Sequence, residues 1–545
     1  MTPPTPDPVT PDPVTPGPVA SGPAASGIAA GRPTADGLAE SDIAAALGGL
    51  LPGLPSRPTV AVAGATGFVG TAVRAALAAG FRVVGLTRSA TAAARAGDAE
   101  AAKAAAEAAV APQPGETEWR RCDLFSLLQV EKALAGVDIA VYLVHSMLPS
   151  ARLTQGTFED LDLLLADTFA RGAATAGVKQ IVYLGGLLPD DRSDLSAHLR
   201  SRHEVEKALG GYGVPVTALR AGLVIGPGGS SLRIMVNLVR RLPAMVLPRW
   251  TRSQTQPVAI ADTIRAVTAV VGRAGALGRV FDIGGPDVMT YAQMMDRTAA
   301  VLGVRRPTIG VPLISPRFSK LWVSVVTGSP RALAEPLVES LRHDMVARDN
   351  PLMRLLAPRA LGFEAALDAA LTAEHTLVPN PRGPLRQGDD QAIRQDRRVR
   401  SVQRMPLPPG RDAAWAADEY LRWLPRVGRP VLRVDVDAPD GDRPRRARFY
   451  VRPLARPILE LEHAPARSTG GRALFWVVGG LLADRAESAR LEFRSVLGGT
   501  ALLAAIHDFA PRLPWRVYVL TQGTAHAVVM AAFRRHLARL SRRRG

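Results

Sequence analysis

The 545-residue sequence predicts an α/β protein, a doubly wound parallel sheet followed by an α+β domain, and three features carry that expectation. Short runs of small and β-branched apolar residues recur from about residue 59 to residue 219, each followed by a stretch with helical spacing. Strands covered by helices on both faces read in this way. The first run, Thr59 to Ala63, passes straight into three glycines spaced by three, Gly64, Gly67 and Gly70, and then into a helix-prone segment. Beyond about residue 400 the pattern changes to alternating strands, with a helix after the first strand and a long amphipathic helix at the end.

In chain order, the first 56 residues are rich in Pro, Ala, Gly, Thr and Asp and repeat Thr-Pro-Asp-Pro-Val. Such a segment buries too little apolar surface to offset its ordering entropy and is expected to be a disordered tail. Strands are expected at Val60–Val62, Phe81–Leu86, Trp119–Cys122, Ile139–Val144, Gln180–Leu184 and Val216–Leu219. Helices are expected at Phe68–Ala79, Ala90–Val110, Leu127–Leu134, Thr157–Ala176 and Leu195–Leu209. Right-handed crossovers place the loops that follow these strands along one crevice. Further helices, at Ala261–Gly272, Tyr291–Leu302, Phe318–Val326, Leu333–Val346 and Phe363–Leu371, would form a substrate-side lobe of a domain spanning 57–378. The polar Pro/Gly-broken stretch 379–400 reads as a linker. In 401–545, strands are expected at Val402–Pro406, Val431–Val436, Ala447–Val451, Arg490–Val496, Leu502–Phe509 and Arg516–Leu520. Helices are expected there at Ala413–Trp423 and Gln522–Leu540.

Strand, glycine turn and helix together give a glycine motif its meaning. Gly64 would permit the tight turn, Gly67 would let a diphosphate reach the backbone, and Gly70 would let the helix sit close on the strand. The helix N-terminus would offer free N–H groups and a partial positive charge to the phosphates. The candidate cofactor contacts are therefore Gly64, Ala65, Thr66, Gly67, Phe68, Val69 and Gly70. After the second strand there is no acid to accept from a ribose 2′-hydroxyl, whereas Arg88 suits a 2′-phosphate, so NADP(H) is favoured over NAD(H).

With these residues in view, the region from about Thr59 to His375 resembles the short-chain dehydrogenase/reductase superfamily in its Rossmann domain. The glycine spacing is typical of the extended and atypical branches. Asp123-Leu124 matches the acidic residue after the third strand, which the resemblance places against adenine. Leu219-Arg220-Ala221-Gly222, Pro257 to Asp262 and Ile283-Gly284-Gly285-Pro286 with Thr290-Tyr291 resemble later elements in the right order. The usual catalytic tyrosine and the lysine four residues on are missing. The helix after the fifth strand carries His198 and Arg202 instead, and Gly185 stands where a serine is usual. This is similar to the atypical branch that includes NmrA-like cofactor sensors and proteins associated with respiratory complex I. His145, at the mouth of the fourth strand, would lie beside the nicotinamide ribose, and His198 would replace the tyrosine as proton donor, with an unperturbed pKa near neutrality. The two are the candidate catalytic residues; no metal is expected.

The second domain resembles a helix-grip (START-like) fold, in which a curved sheet wraps the last helix. The resemblance implies either an apolar cavity for a lipid, quinone or polyketide or a filled core. The leading function is an NAD(P)H-dependent oxidoreductase acting on an apolar small molecule. The alternative is a non-catalytic sensor of the NADP(H) redox state or an assembly module. Sugar-nucleotide epimerisation normally needs the missing tyrosine and falls behind.

Composition sets outer bounds. Of 67 basic residues all but five are arginine, so the net charge of +18 reflects an arginine-rich composition more than a nucleic-acid site, and no aromatic-interleaved basic stripe is present. The single cysteine, Cys122, forbids an intrachain disulfide and suits the cytoplasm. No secretory signal is visible, and the longest apolar run, Ala473 to Ala483, is too short to span a bilayer. The basic C-terminus leaves membrane-surface contact open; specific nucleic-acid binding is not expected.

Overall fold

A computed structural model of the protein describes residues 39–88, 117–145, 153–310, 331–376, 398–437, 444–484 and 488–543. Seven parallel strands form the first sheet: β1 (Thr59–Ala63), β2 (Arg82–Thr87), β3 (Thr117–Arg121), β4 (Ile139–Tyr142), β6 (Gln180–Gly186), β7 (Val216–Ala221) and β8 (Val280–Ile283). Their spatial order is β8-β7-β6-β4-β1-β2-β3, so the order reverses between β1 and β4, where a crevice opens beyond the strand ends. β1 is buried along its whole length. Small residues suit it, because helices cover both of its faces. On one face, Val73 and Leu77 of α2 (Phe68–Leu77) pack with Val60, Val62 and Val267. On the other, α4 (Phe158–Thr175) and α5 (Ala197–Leu209) cover Ala61, Ala140 and Ile181.

The second sheet is an antiparallel meander, β10 (Leu432–Val436), β11 (Arg446–Val451), β12 (Leu459–His463), β13 (Arg472–Gly479), β14 (Arg490–Val496) and β15 (Ala501–Phe509). It closes on β9 (Val399–Pro406), which pairs with β15. The domain thus runs strand, helix, six-strand meander and long final helix. One face carries α7 (Ala413–Val427) and α8 (Thr524–Arg542). Between that face and the helices, Tyr420, Trp423, Phe493 and Phe533 form a continuous set of ring contacts.

The other face of this sheet packs on the first domain. Val402, Val496, Ala501, Leu503 and Ala505 join the cluster built around α4. A short strand from the first domain, β5 (Leu153–Gln155), also pairs in parallel with β9. The alternation expected in β14 is present, with Leu491 and Phe493 facing the helices. Its polar face is not solvated: Arg490, Glu492 and Arg494 are buried between the domains.

Several expected elements differ. Glu40–Leu47 is a helix, α1, that buries Ile43 and Leu47 in the core, so the tail expectation fails there; residues 1–38 lie outside the described residues. Two anchoring side chains were too weak a signal beside the surrounding Gly and Pro. Arg516–Leu520 is helical, not a strand, because its apolar residues lead directly into α8. The helix expected over Leu333–Val346 stops at Ser340. The strands β12 and β13 went unread, their alternation masked by Pro-rich loops and a long apolar run. Residues 379–397 and the helices expected at Ala90–Val110 and Phe318–Val326 lie outside the described residues.

Candidate functional site

The glycine turn links β1 to α2. Gly64 has φ +86°, and a Cβ there would stand 3.1 Å from the Leu143 carbonyl oxygen. Its carbonyl accepts from the Gly67 N–H at 2.9 Å and closes the turn. Gly67 is the exposed N-cap of α2 and supplies no capping side chain, so the first turn of the helix faces the crevice bare. Gly70 is buried, and a Cβ on it would overlap the Gly64 carbonyl oxygen. Each glycine thus meets a separate requirement. Ala65 is fully buried beneath the turn; Thr66, Phe68 and Val69 are half-buried. The Phe68 ring lies against Gly226 and Gly229, where a Cβ would approach it to 3.1 and 3.3 Å.

Arg88 follows β2 and is exposed. Asp123 follows β3, with Leu124 half-buried against the core. The Asp123 carboxylate is engaged by the other domain: Arg400 Nη2 donates to its Oδ2 at 2.6 Å and to Asp508 at 2.8 Å. Phe125 N–H donates to the other carboxylate oxygen at 3.1 Å. Burial pushes the Asp123 pKa up, but Arg400, the Phe125 hydrogen bond and the Arg88 charge outweigh it and leave the pKa below its ordinary value.

His145 leaves β4 at the crevice, and its ring is 5.1 Å from that of His198 on α5. His145 Nδ1 is 3.1 Å from Oδ2 of Asp162, a carboxylate buried in the middle of α4. The same oxygen accepts from Arg202 at 2.6 Å and from Ser201 at 3.4 Å. Burial, with Arg202 next, holds His145 below its ordinary pKa; burial, His145 and Arg202 hold His198 well below. His198 is thus displaced from the near-neutral value of an unperturbed imidazole, since a buried position beside an arginine disfavours a second positive charge. At both positions the surroundings favour the uncharged imidazole. Arg202 is committed to Asp162 and lies over the Tyr183 ring at 6.0 Å. Tyr183 donates to the Arg202 carbonyl at 3.1 Å and its hydroxyl is pushed up to about 12 by burial, so it does not resemble an activated acid. A side chain at Gly185 would press on that ring at 2.8 Å, which accounts for the missing serine. Tyr212, the one tyrosine close in sequence to α5, donates to Asp167 at the domain interface.

The structure therefore brings His145, His198, Asp162 and Arg202 together, and places the glycine turn, Arg88 and Asp123 beyond the ends of β1, β2 and β3. Asp162 and Arg400 escaped the sequence reading. The available signal for Asp162 was a lone acid within the apolar run Leu161 to Ala166.

A parallel doubly wound sheet with its glycine turn at the point of strand-order reversal is a Rossmann-like arrangement. Residues 56–230 match the model of the NmrA-like family. The auxiliary protein GraX of Staphylococcus aureus is 34% identical over 140 residues, 25% of this chain and 41% of that protein, so the match spans about two fifths of its length. Similar solved structures include a triphenylmethane reductase of Citrobacter sp. complexed with NADP(H), at 16% identity and TM-score 0.43, covering 57% of this chain and 99% of that one. An NADPH-dependent quinone oxidoreductase of Escherichia coli gives 20% and 0.42 over 56% and 98%. A UDP-glucose 4-epimerase of Thermotoga maritima gives 13% and 0.41 over 58% and 97%. Among the described residues, no helix is long and apolar enough to cross a membrane.

Proposed function

We propose that the first domain binds a nicotinamide dinucleotide, NADP(H) in preference to NAD(H), and serves as a reductase for an apolar small molecule. The observation that carries this reading is the bare N-terminus of α2 behind Gly67, in a turn where Gly64 takes a left-handed φ and Gly70 leaves no room for a Cβ. Exposed main-chain amides at a helix N-terminus suit a diphosphate. In this reading Gly64 to Gly70 hold the diphosphate, Arg88 the 2′-phosphate, Asp123 and Leu124 flank the adenine, and His145 borders the nicotinamide ribose. The cofactor supplies hydride chemistry when bound. The chain supplies orientation, a dry wall, and hydrogen bonds from neutral imidazoles, with His198 donating to a developing oxyanion from its ring N–H.

The deciding experiment is a fluorescence titration with NADPH, NADH and their oxidised forms, on the native chain and on Gly67→Val. Saturable binding is expected, about tenfold tighter for NADPH because of a charge-assisted contact to Arg88. Binding should be lost in Gly67→Val. Absence of saturable binding to any of the four overturns the proposal.

A second reading, a non-catalytic sensor or assembly module, is favoured by one observation. The adenine-side carboxylate Asp123 is shared with Arg400 of the second domain, so nucleotide occupancy would be reported across the interface. The relative GraX is itself named an auxiliary protein. NADPH oxidation against a panel of quinones and enones separates the two. Turnover that falls roughly a hundredfold in His198→Phe supports the reductase; tight NADPH binding with no turnover on any acceptor supports the sensor.

A further inference from the structure

The helix α8 has two faces. Met530, Phe533 and Leu537 are buried against the second sheet. The opposite side follows positions 524, 528, 535, 539 and 542, which share a face at α-helical spacing. Val528 on this side is 63% exposed, and Leu520 and Val517, in the turns just before the helix, are 77% and 44% exposed. Further along the same face stand Arg535, Arg539 and Arg542, all exposed.

Elsewhere on this domain, several surface arginines are neutralised. Arg445, Arg446, Arg448 and Arg512 each pair with a carboxylate. Among the described residues, Arg535, Arg539 and Arg542 have no such partner. An aliphatic patch that continues into unpaired arginines, on a helix anchored by its other face, complements a surface whose outer layer is anionic and whose interior is apolar. We propose that this face docks the protein on an anionic lipid surface, with Leu520 and Val528 entering the acyl boundary and the three arginines meeting headgroup phosphates. The exposed apolar positions are aliphatic, so they reward contact with acyl chains and give bases no stacking surface, which sets lipid above nucleic acid.

The test uses the full chain and co-sedimentation with vesicles. Binding is expected to phosphatidylcholine vesicles carrying about a third phosphatidylglycerol, with little to phosphatidylcholine alone, and it should weaken as salt screens the charges. Arg535→Glu/Arg539→Glu/Arg542→Glu should bind roughly a hundredfold more weakly, whereas the corresponding triple lysine variant should bind nearly as well as the native chain. Leu520→Glu/Val528→Glu should also lose binding, with an unchanged thermal midpoint because both side chains are exposed. The proposal is overturned by no sedimentation with anionic vesicles, by equal binding to neutral ones, by indifference to either set of substitutions, or by binding to an RNA oligonucleotide in place of vesicles.

Discussion

Arg400 of the second domain donates to Asp123 of the first at 2.6 Å, and the same guanidinium lies over the Phe125 ring at 4.2 Å and reaches Asp508. One buried cation therefore bridges two carboxylates from different domains. Arg400→Ala should cost about 3 kcal/mol of unfolding free energy, because both carboxylates would then be poorly compensated. Urea denaturation would measure it. The Asp123 pKa is lowered on folding, so its contribution is present above the unfolded carboxylate value and is lost as pH falls through the folded one. Below that window the native chain and Asp123→Asn should converge in stability; a constant difference down to the lowest pH would contradict the assignment.

Gly70 is the least replaceable residue of the turn. A methyl group there overlaps the Gly64 carbonyl oxygen, so α2 must move off β1. Gly70→Ala should lose about 3 kcal/mol of stability, near the upper end for an overpacked site. Gly136→Ala is a useful contrast, since a Cβ there has open space but the backbone is at φ +72°; its cost is conformational alone and should be near 1 kcal/mol. Chemical denaturation of both variants tests the ordering.

Between the domains, Glu492 accepts from Arg472 and Arg494, and Arg494 continues to Asp167 at 3.1 Å and Thr168 at 2.7 Å. Glu492→Gln removes the central negative charge and should destabilise the chain by about 4 kcal/mol. His507, buried beside it, is pushed down to about 3, with burial the main cause. The unfolded chain binds a proton at this site from about pH 6.5 downward while the folded chain does not, so stability falls as pH drops through that window. His507→Phe should flatten the acid limb of a melting-temperature profile between pH 6 and pH 4 if the cluster tolerates the ring; an unchanged slope would refute the role.

A chain ending at residue 376 should not behave as an independent domain. It would uncover the face of α4 that packs on Val402, Val496 and Leu503, and would leave Asp123, Asp160 and Asp167 without Arg400, Arg404 and Arg494. Aggregation on size-exclusion chromatography is expected; a monodisperse, cooperatively melting fragment would show that the interface matters less than its burial implies.

Local patterns made much of the architecture readable. β1 and the glycines announce themselves because buried parallel strands are continuous apolar runs and because Gly64 takes a left-handed φ and Gly70 admits no side chain. The alternation of Leu491 and Phe493 with Arg490, Glu492 and Arg494 was equally plain, but its meaning was not. A charged face normally indicates water, and only the tertiary arrangement shows Asp167 and Thr168 waiting opposite. Arg400 lay hidden for the same reason: its partners are Asp123 and Asp508, distant in sequence and marked by no motif. The titration of His198 depended on burial next to Arg202, which helical spacing alone does not reveal.

The strand Leu153–Gln155 is spliced into the second sheet a short way down the chain from His145, pairing with the residues Arg400 and Ser401, and the Gln155 amide donates to the Gly523 carbonyl just ahead of the final helix. That short strand of the first domain is thus tied both to a strand and to the helix entry of the second, so the two domains cannot part at this edge without undoing a rung of the second sheet.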